Sequence, residues 1–100
     1  MTAGEYSVAS AIYNRILEIE PSNSRAAASI GVAYLFLNDL DRGYSQLKKA
    51  LEMNSQEPIA LWNIAGLMHE FNFHKKLATA VKKARAVPKP SLLYPFATRI

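Results

Sequence analysis

An all-α fold of about five short antiparallel helices, set out as one half of a helix–turn–helix unit followed by two whole units and an extended C-terminal tail, is what the sequence predicts. Three observations carry the prediction. Apolar residues recur at intervals of three and four, the spacing of one helix face. The pattern of residues 24 to 57 returns at a fixed step of 34 residues on both sides, and a period of this size decides an architecture before any local reading does. Helix breakers and capping residues, among them Pro21-Ser22-Asn23, Pro58, Pro88 and Pro90, fall between the periodic segments.

The step of 34 holds position by position. Ala27, Ile30, Gly31 and Tyr34 in the first helix of the unit are followed by Leu61, Ile64, Ala65 and Met68. In the second helix Ala9, Tyr13 and Ile16 give way to Gly43, Leu47 and Ala50, and these to Leu77, Val81 and Ala84. Small residues recur in register at Gly31 and Ala65 and at Ala50 and Ala84, as helices crossing at close range require.

Taken in order, the first helix is expected over Glu5 to Glu20, with Val8, Ile12, Ile16 and Ile19 toward one side that needs cover. Pro21 to Ser24 ends it and supplies capping oxygens for the second, Ser24 to Leu37. That second helix is apolar almost all round and so must be covered on several sides. The third is expected to start at Asp41 as N-cap and run to about Asn54. Pro58 suits the first turn of the fourth, where its missing N–H costs nothing, and this helix reaches about Phe71. The fifth spans His74 to Val87, after which Pro88 and Pro90 stop the pattern. Residues 1–90 thus form one helical domain and residues 91–100 a tail. Its apolar side chains, Leu92, Leu93, Tyr94 and Phe96, are expected to pack on the exposed end of the helical stack as a terminal cap, or else to dock on another protein.

Residues 4 to 90 resemble the tetratricopeptide repeat family, on the match of Ile30, Gly31, Tyr34, Ala50, Ala9, Tyr13 and Pro21 to its pattern. The chain departs from that pattern at Ala27, where a large aromatic is usual, at Leu77, where a small residue is, and at Ser55 and Lys89, where proline is. Leu77 predicts that the last helix packs more loosely or at a shifted angle. The resemblance implies an α-solenoid whose first helices line a concave groove. Carried over residue by residue, the groove takes Arg25, Ala28, Ser29, Val32, Leu35 and Phe36 from one unit, and Ile59, Trp62, Asn63, Gly66, His69 and Glu70 from the next. The candidate peptide-binding residues among them are Arg25, Ser29, Val32, Phe36, Ile59, Trp62, Asn63 and His69. Such an apolar trough suits an amphipathic helix or an extended peptide segment of another protein, with Trp62 as anchor. Some family members clamp a C-terminal carboxylate through asparagines, and Asn63 matches one such position. Val32 stands at the corresponding place in the preceding unit, so that clamp is not expected here. The function implied is a non-catalytic protein-binding module, a chaperone, adaptor or scaffold. The alternative is a structural subunit that self-associates through its open first helix and apolar tail.

Composition bounds these readings. One hundred residues, half of them apolar, make a single small domain. Cysteine is absent, which excludes disulfides and thiolate metal sites. The N-terminus shows neither the positive start nor the apolar core of a secretory signal, and Ala26 to Leu37 is too short to span a bilayer, so a soluble protein of the cytoplasm or of an organelle matrix is expected. The net charge of +4 is unevenly spread: up to Phe73 there are five basic and eight acidic residues, and from His74 onward seven basic and no acidic ones. The set Lys75, Lys76, Lys82, Lys83, Arg85 and Lys89 is a candidate basic patch. No aromatic platform is interleaved with it, which argues against nucleic acid. His69 and His74 have only Glu70 nearby, a poor metal pattern. No glycine-rich phosphate loop and no nucleophile–base motif occurs, so neither a cofactor nor catalysis is expected.

Overall fold

Capping residues decide where the helices begin in the computed structural model, which describes residues 3–71 and 74–94, without the side chains of residue 3 and residues 74–77. The helices are α1 (Ala3–Ile19), α2 (Ser24–Phe36), α3 (Leu40–Met53), α4 (Pro58–Glu70) and α5 (His74–Arg85), and among the described residues there is no strand. Asn23 caps α2 by accepting the Ala26 N–H at 3.0 Å, which satisfies one of the donors that a helix start leaves open. Glu57 does the same for α4 from Ile59 at 3.1 Å, with Pro58 at the first helical position.

The start of α3 differs from the expectation. Asp39, not Asp41, is its cap and accepts the Arg42 N–H at 3.3 Å. The reason is the turn before it. Asn38 adopts a left-handed backbone, φ 61°, which lets the Asp39 N–H return to Tyr34 O at 2.9 Å and the Asn38 N–H to Leu35 O at 3.0 Å. These paired bonds close α2 and reverse the chain two residues earlier than the acidic residue alone suggested. Asp41 is left in the first turn, where the helix dipole favours an anion.

Ser24 and Pro58 open α2 and α4, and Leu40 and His74 open α3 and α5, each pair 34 residues apart, so the arrangement is helical and repeat-like. Helices adjacent in sequence pack on one another, and α2 also packs on α4. Those two central helices are covered on most sides: Ala26 to Ala33 and Leu35 are buried in α2, and Ile59 to Leu67 in α4. The amphipathic α3 buries only one stripe, Gly43, Leu47 and Ala50. Its contact with α2 depends on two glycines. A Cβ at Gly43 would lie 2.5 Å from Leu35 Cδ2 and 2.9 Å from Gly31 O, and one at Gly31 would lie 2.8 Å from Leu47 Cγ. Leu35 therefore faces α3 and not a groove.

One helix end and one face also depart from expectation. The last turn of α5 tightens, with N–H groups of Ala86 and Val87 on the carbonyls of Lys83 and Ala84, so the helix closes at Arg85. On α1, Ile16 turns inward with Tyr13 and Leu17, but Val8, Ile12 and Ile19 are 61%, 57% and 74% exposed. The stripe that needed cover faces solvent. No helix among the described residues is long and apolar enough to cross a membrane.

Candidate functional site

The residues that line the exposed flank of α2 and α4 meet the chain's own tail. After Val87 the prolines at 88 and 90 disfavour a helix, and the segment runs back over α4 with a bend at Ser91 and an extended course at residues 92–94. Asn63, only 1% exposed, holds its main chain at two points: Oδ1 accepts the Tyr94 N–H at 2.8 Å, and Nδ2 donates to Leu92 O at 3.1 Å. The same Nδ2 also donates to Ile59 O, one turn earlier in α4, at 2.7 Å, which fixes the amide's orientation. The carbonyl of residue 92 and the N–H of residue 94 lie on one edge of an extended segment, so a single side-chain amide matches both.

Side chains alternate about that main-chain contact as an extended segment requires. Leu92 and Tyr94 pack against the core shared by α2, α3 and α4, while Leu93 turns to the cluster of Leu61, Trp62, Ala65 and Ala84. Tyr94 meets Phe36 edge to face, centroids 5.0 Å apart, and Phe36 stacks on Tyr6 of α1 at 4.4 Å, both geometries that aromatic rings favour. Trp62 is 7% exposed; its indole N–H donates to Val87 O at 3.2 Å, and Lys89 Nζ sits 5.3 Å from the ring centroid. The tail up to Tyr94 thus lies along α2 and α4, with Leu93 on the cluster shared by α4 and α5. Phe96 and the rest of residues 95–100 are outside the described residues.

The eight candidate groove residues divide accordingly. Trp62, Asn63, Phe36 and Ile59 are brought together around the tail, with Val32 buried in the core beneath. Ser29 is buried too, its hydroxyl donating to Arg25 O in its own helix at 2.8 Å. Arg25 is exposed and, with Ser29, Tyr13, Ile16, Ser91 and Leu92, borders a cleft of about 450 Å³ left between α1, the start of α2 and the tail. His69 is exposed near the far end of α4, and no described contact joins it to the others.

The described basic side chains border more than one surface. Lys82 and Arg85 border a shallow depression with Ala78 and Val81, and Lys83 borders a cleft with Lys48, Tyr44 and Met68 on the other side of α5. Lys89 sits over Trp62, and the side chains of Lys75 and Lys76 are outside the described residues. No group of three metal-ligating side chains occurs among the described residues.

What the sequence did not disclose is the pairing of Asn63 and Trp62 with the tail. Those partners are backbone atoms 25 to 31 residues away, which no residue-type pattern marks. Comparison with family models, with curated proteins and with solved structures returns no match.

Proposed function

We propose that this chain is a non-catalytic protein-binding module, a short tetratricopeptide-like α-solenoid of one half repeat and two repeats, whose α2/α4 flank takes an extended peptide segment of another protein. The observation that supports it is the way Asn63 holds the tail: a buried side-chain amide satisfies two main-chain groups of an extended segment, while apolar side chains settle on both sides. That combination is generic in backbone and selective in side chains, which is what a peptide groove needs. An amphipathic helix, whose main chain is already internally bonded, would leave the Asn63 amide without those partners.

Because the tail uses the same Asn63 amide, an array of synthetic octapeptides of varied sequence is probed with the full chain carrying Leu92→Ser/Tyr94→Ser and with that chain carrying Asn63→Ala as well. A subset of peptides is expected to capture the first protein and to lose about tenfold in affinity toward the second, as befits one or two hydrogen bonds. Capture that is equal for both proteins, or no capture at all, removes the reading. Trp62→Ala is a poorer probe, since the buried indole also holds α4 against α5.

A second reading is favoured by the exposed stripe of Val8, Ile12 and Ile19 on α1: a structural subunit that assembles with copies of itself or with a larger protein through that face.

A further inference from the structure

The tail's sequence is itself information about what the groove accepts. Its contact carries three separable parts. The main chain of residues 92 and 94 is bonded to Asn63, at 3.1 and 2.8 Å. An aliphatic side chain at 92 and an aromatic one at 94 point to the α2/α4 side, the latter onto Phe36. An apolar side chain at 93 points to the Trp62 cluster. Upstream, Pro88 and Pro90 keep the approach extended, and Lys89 covers the indole face. Among the described residues no buried side-chain polar atom lacks a partner, so the occupied groove is fully satisfied.

We infer that the segment 88–94 is an internal competitor, and that the partner proposed above is an extended segment with the same pattern, an aliphatic residue followed by an apolar and then an aromatic one, which binds only by displacing Leu92 to Tyr94. The inference rests on the peptide-binding reading and adds the ligand's chemistry and its control. Tethering makes the tail's local concentration high, on the order of millimolar for a short linker, so a free segment of equal intrinsic affinity competes poorly with it. Binding is therefore gated: the groove opens to a better-matched partner or when the tail is drawn away. The hinge for that movement is residues 86–90, where α5 has ended.

The test uses a fluorescein-labelled peptide of residues 86–94 and three full-length proteins: the wild-type chain, the double variant Leu92→Ser/Tyr94→Ser, and that double variant with Asn63→Ala. The double variant is expected to bind the peptide at least tenfold more tightly than the wild type does, because its own tail no longer fills the groove. Asn63→Ala should then cost about tenfold, and a peptide carrying serine at the positions of Leu92 and Tyr94 should not bind. Equal binding by wild type and double variant overturns the inference. So does a double variant that is helical by circular dichroism yet binds array peptides through Asn63 while ignoring the tail peptide, an outcome that leaves the proposed function standing. Should the double variant fail to fold, amide exchange in the wild-type chain decides: excess peptide is expected to speed exchange at Tyr94 at least tenfold while the amides of α2 and α4 are unchanged. No acceleration overturns the inference.

Discussion

Glu57 carries two bonds from one buried carboxylate. It is 5% exposed, caps α4 through the Ile59 N–H, and accepts the Ser24 hydroxyl at 3.4 Å, so the first residues of α2 and α4 meet at one side chain. Glu57→Ala should lower stability by about 1–2 kcal/mol, from the lost cap and an unpaired helix donor, which for a chain of this size is a fall of roughly 4–16 °C in the melting temperature. A double-mutant cycle with Ser24→Ala should give only about 0.5 kcal/mol of coupling, since 3.4 Å is long for a hydrogen bond. Urea denaturation of the four proteins measures both values, and a loss below about 0.5 kcal/mol for Glu57→Ala would assign the cap to solvent. The exposed Arg42–Asp39 pair at 3.4 Å contributes little by comparison. Pro58 made the start of α4 readable in the sequence. Asp39 was not readable as a cap, because the deciding event is the left-handed conformation of Asn38, and asparagine adopts that only where the surrounding turn requires it.

The α2–α3 crossing is set by a pair of glycines, whereas Ala65 and Leu77 stand at the same steps of the α4–α5 pair. Gly43→Ala should therefore lose about 1–3 kcal/mol even though alanine is the better helix former by about 1 kcal/mol, since the new methyl meets backbone oxygen at 2.9 Å and not merely a side chain that can turn aside. Thermal or urea unfolding checks the sign; a stabilised variant would show that the helices separate at no cost. Half of this closeness was legible: Gly31 is answered by Ala65 one step on, but Gly43 is answered by Leu77, so no recurring small residue marked it. The looser packing expected of α5 falls on Leu77, whose side chain is outside the described residues. Burial of α2 and α4 was legible as well, from apolar residues on every face. The outward turn of Val8, Ile12 and Ile19 was not, since periodicity gives an apolar stripe but not which of two neighbouring stripes the next helix covers.

Tyr6, Phe36 and Tyr94 join in a single aromatic series, so the tail braces α1 as well as packing on α2 and α4. That bracing leaves the outer face of α1 free of any described helix, and the assembly reading predicts a concentration-dependent dimer in sedimentation that Ile12→Glu returns to monomer with helicity unchanged. A monomer at every concentration removes that reading and leaves the peptide module. Helix order and core were open to sequence reasoning because they repeat. The tail's course was not, because it occurs once and is held through main-chain atoms that every residue shares.

The position of the chain's one tryptophan has a practical sequel. With its indole N–H bonded to Val87 O and its ring roofed by Lys89, Trp62 reports the polarity of that spot without any added label. While the segment that crosses it stays down, ultraviolet emission should be blue and poorly quenched by iodide or acrylamide; once that segment lifts, it should shift to the red and quench readily. Trp62 is thus a built-in optical gauge of whether residues 87–89 keep their place on α4.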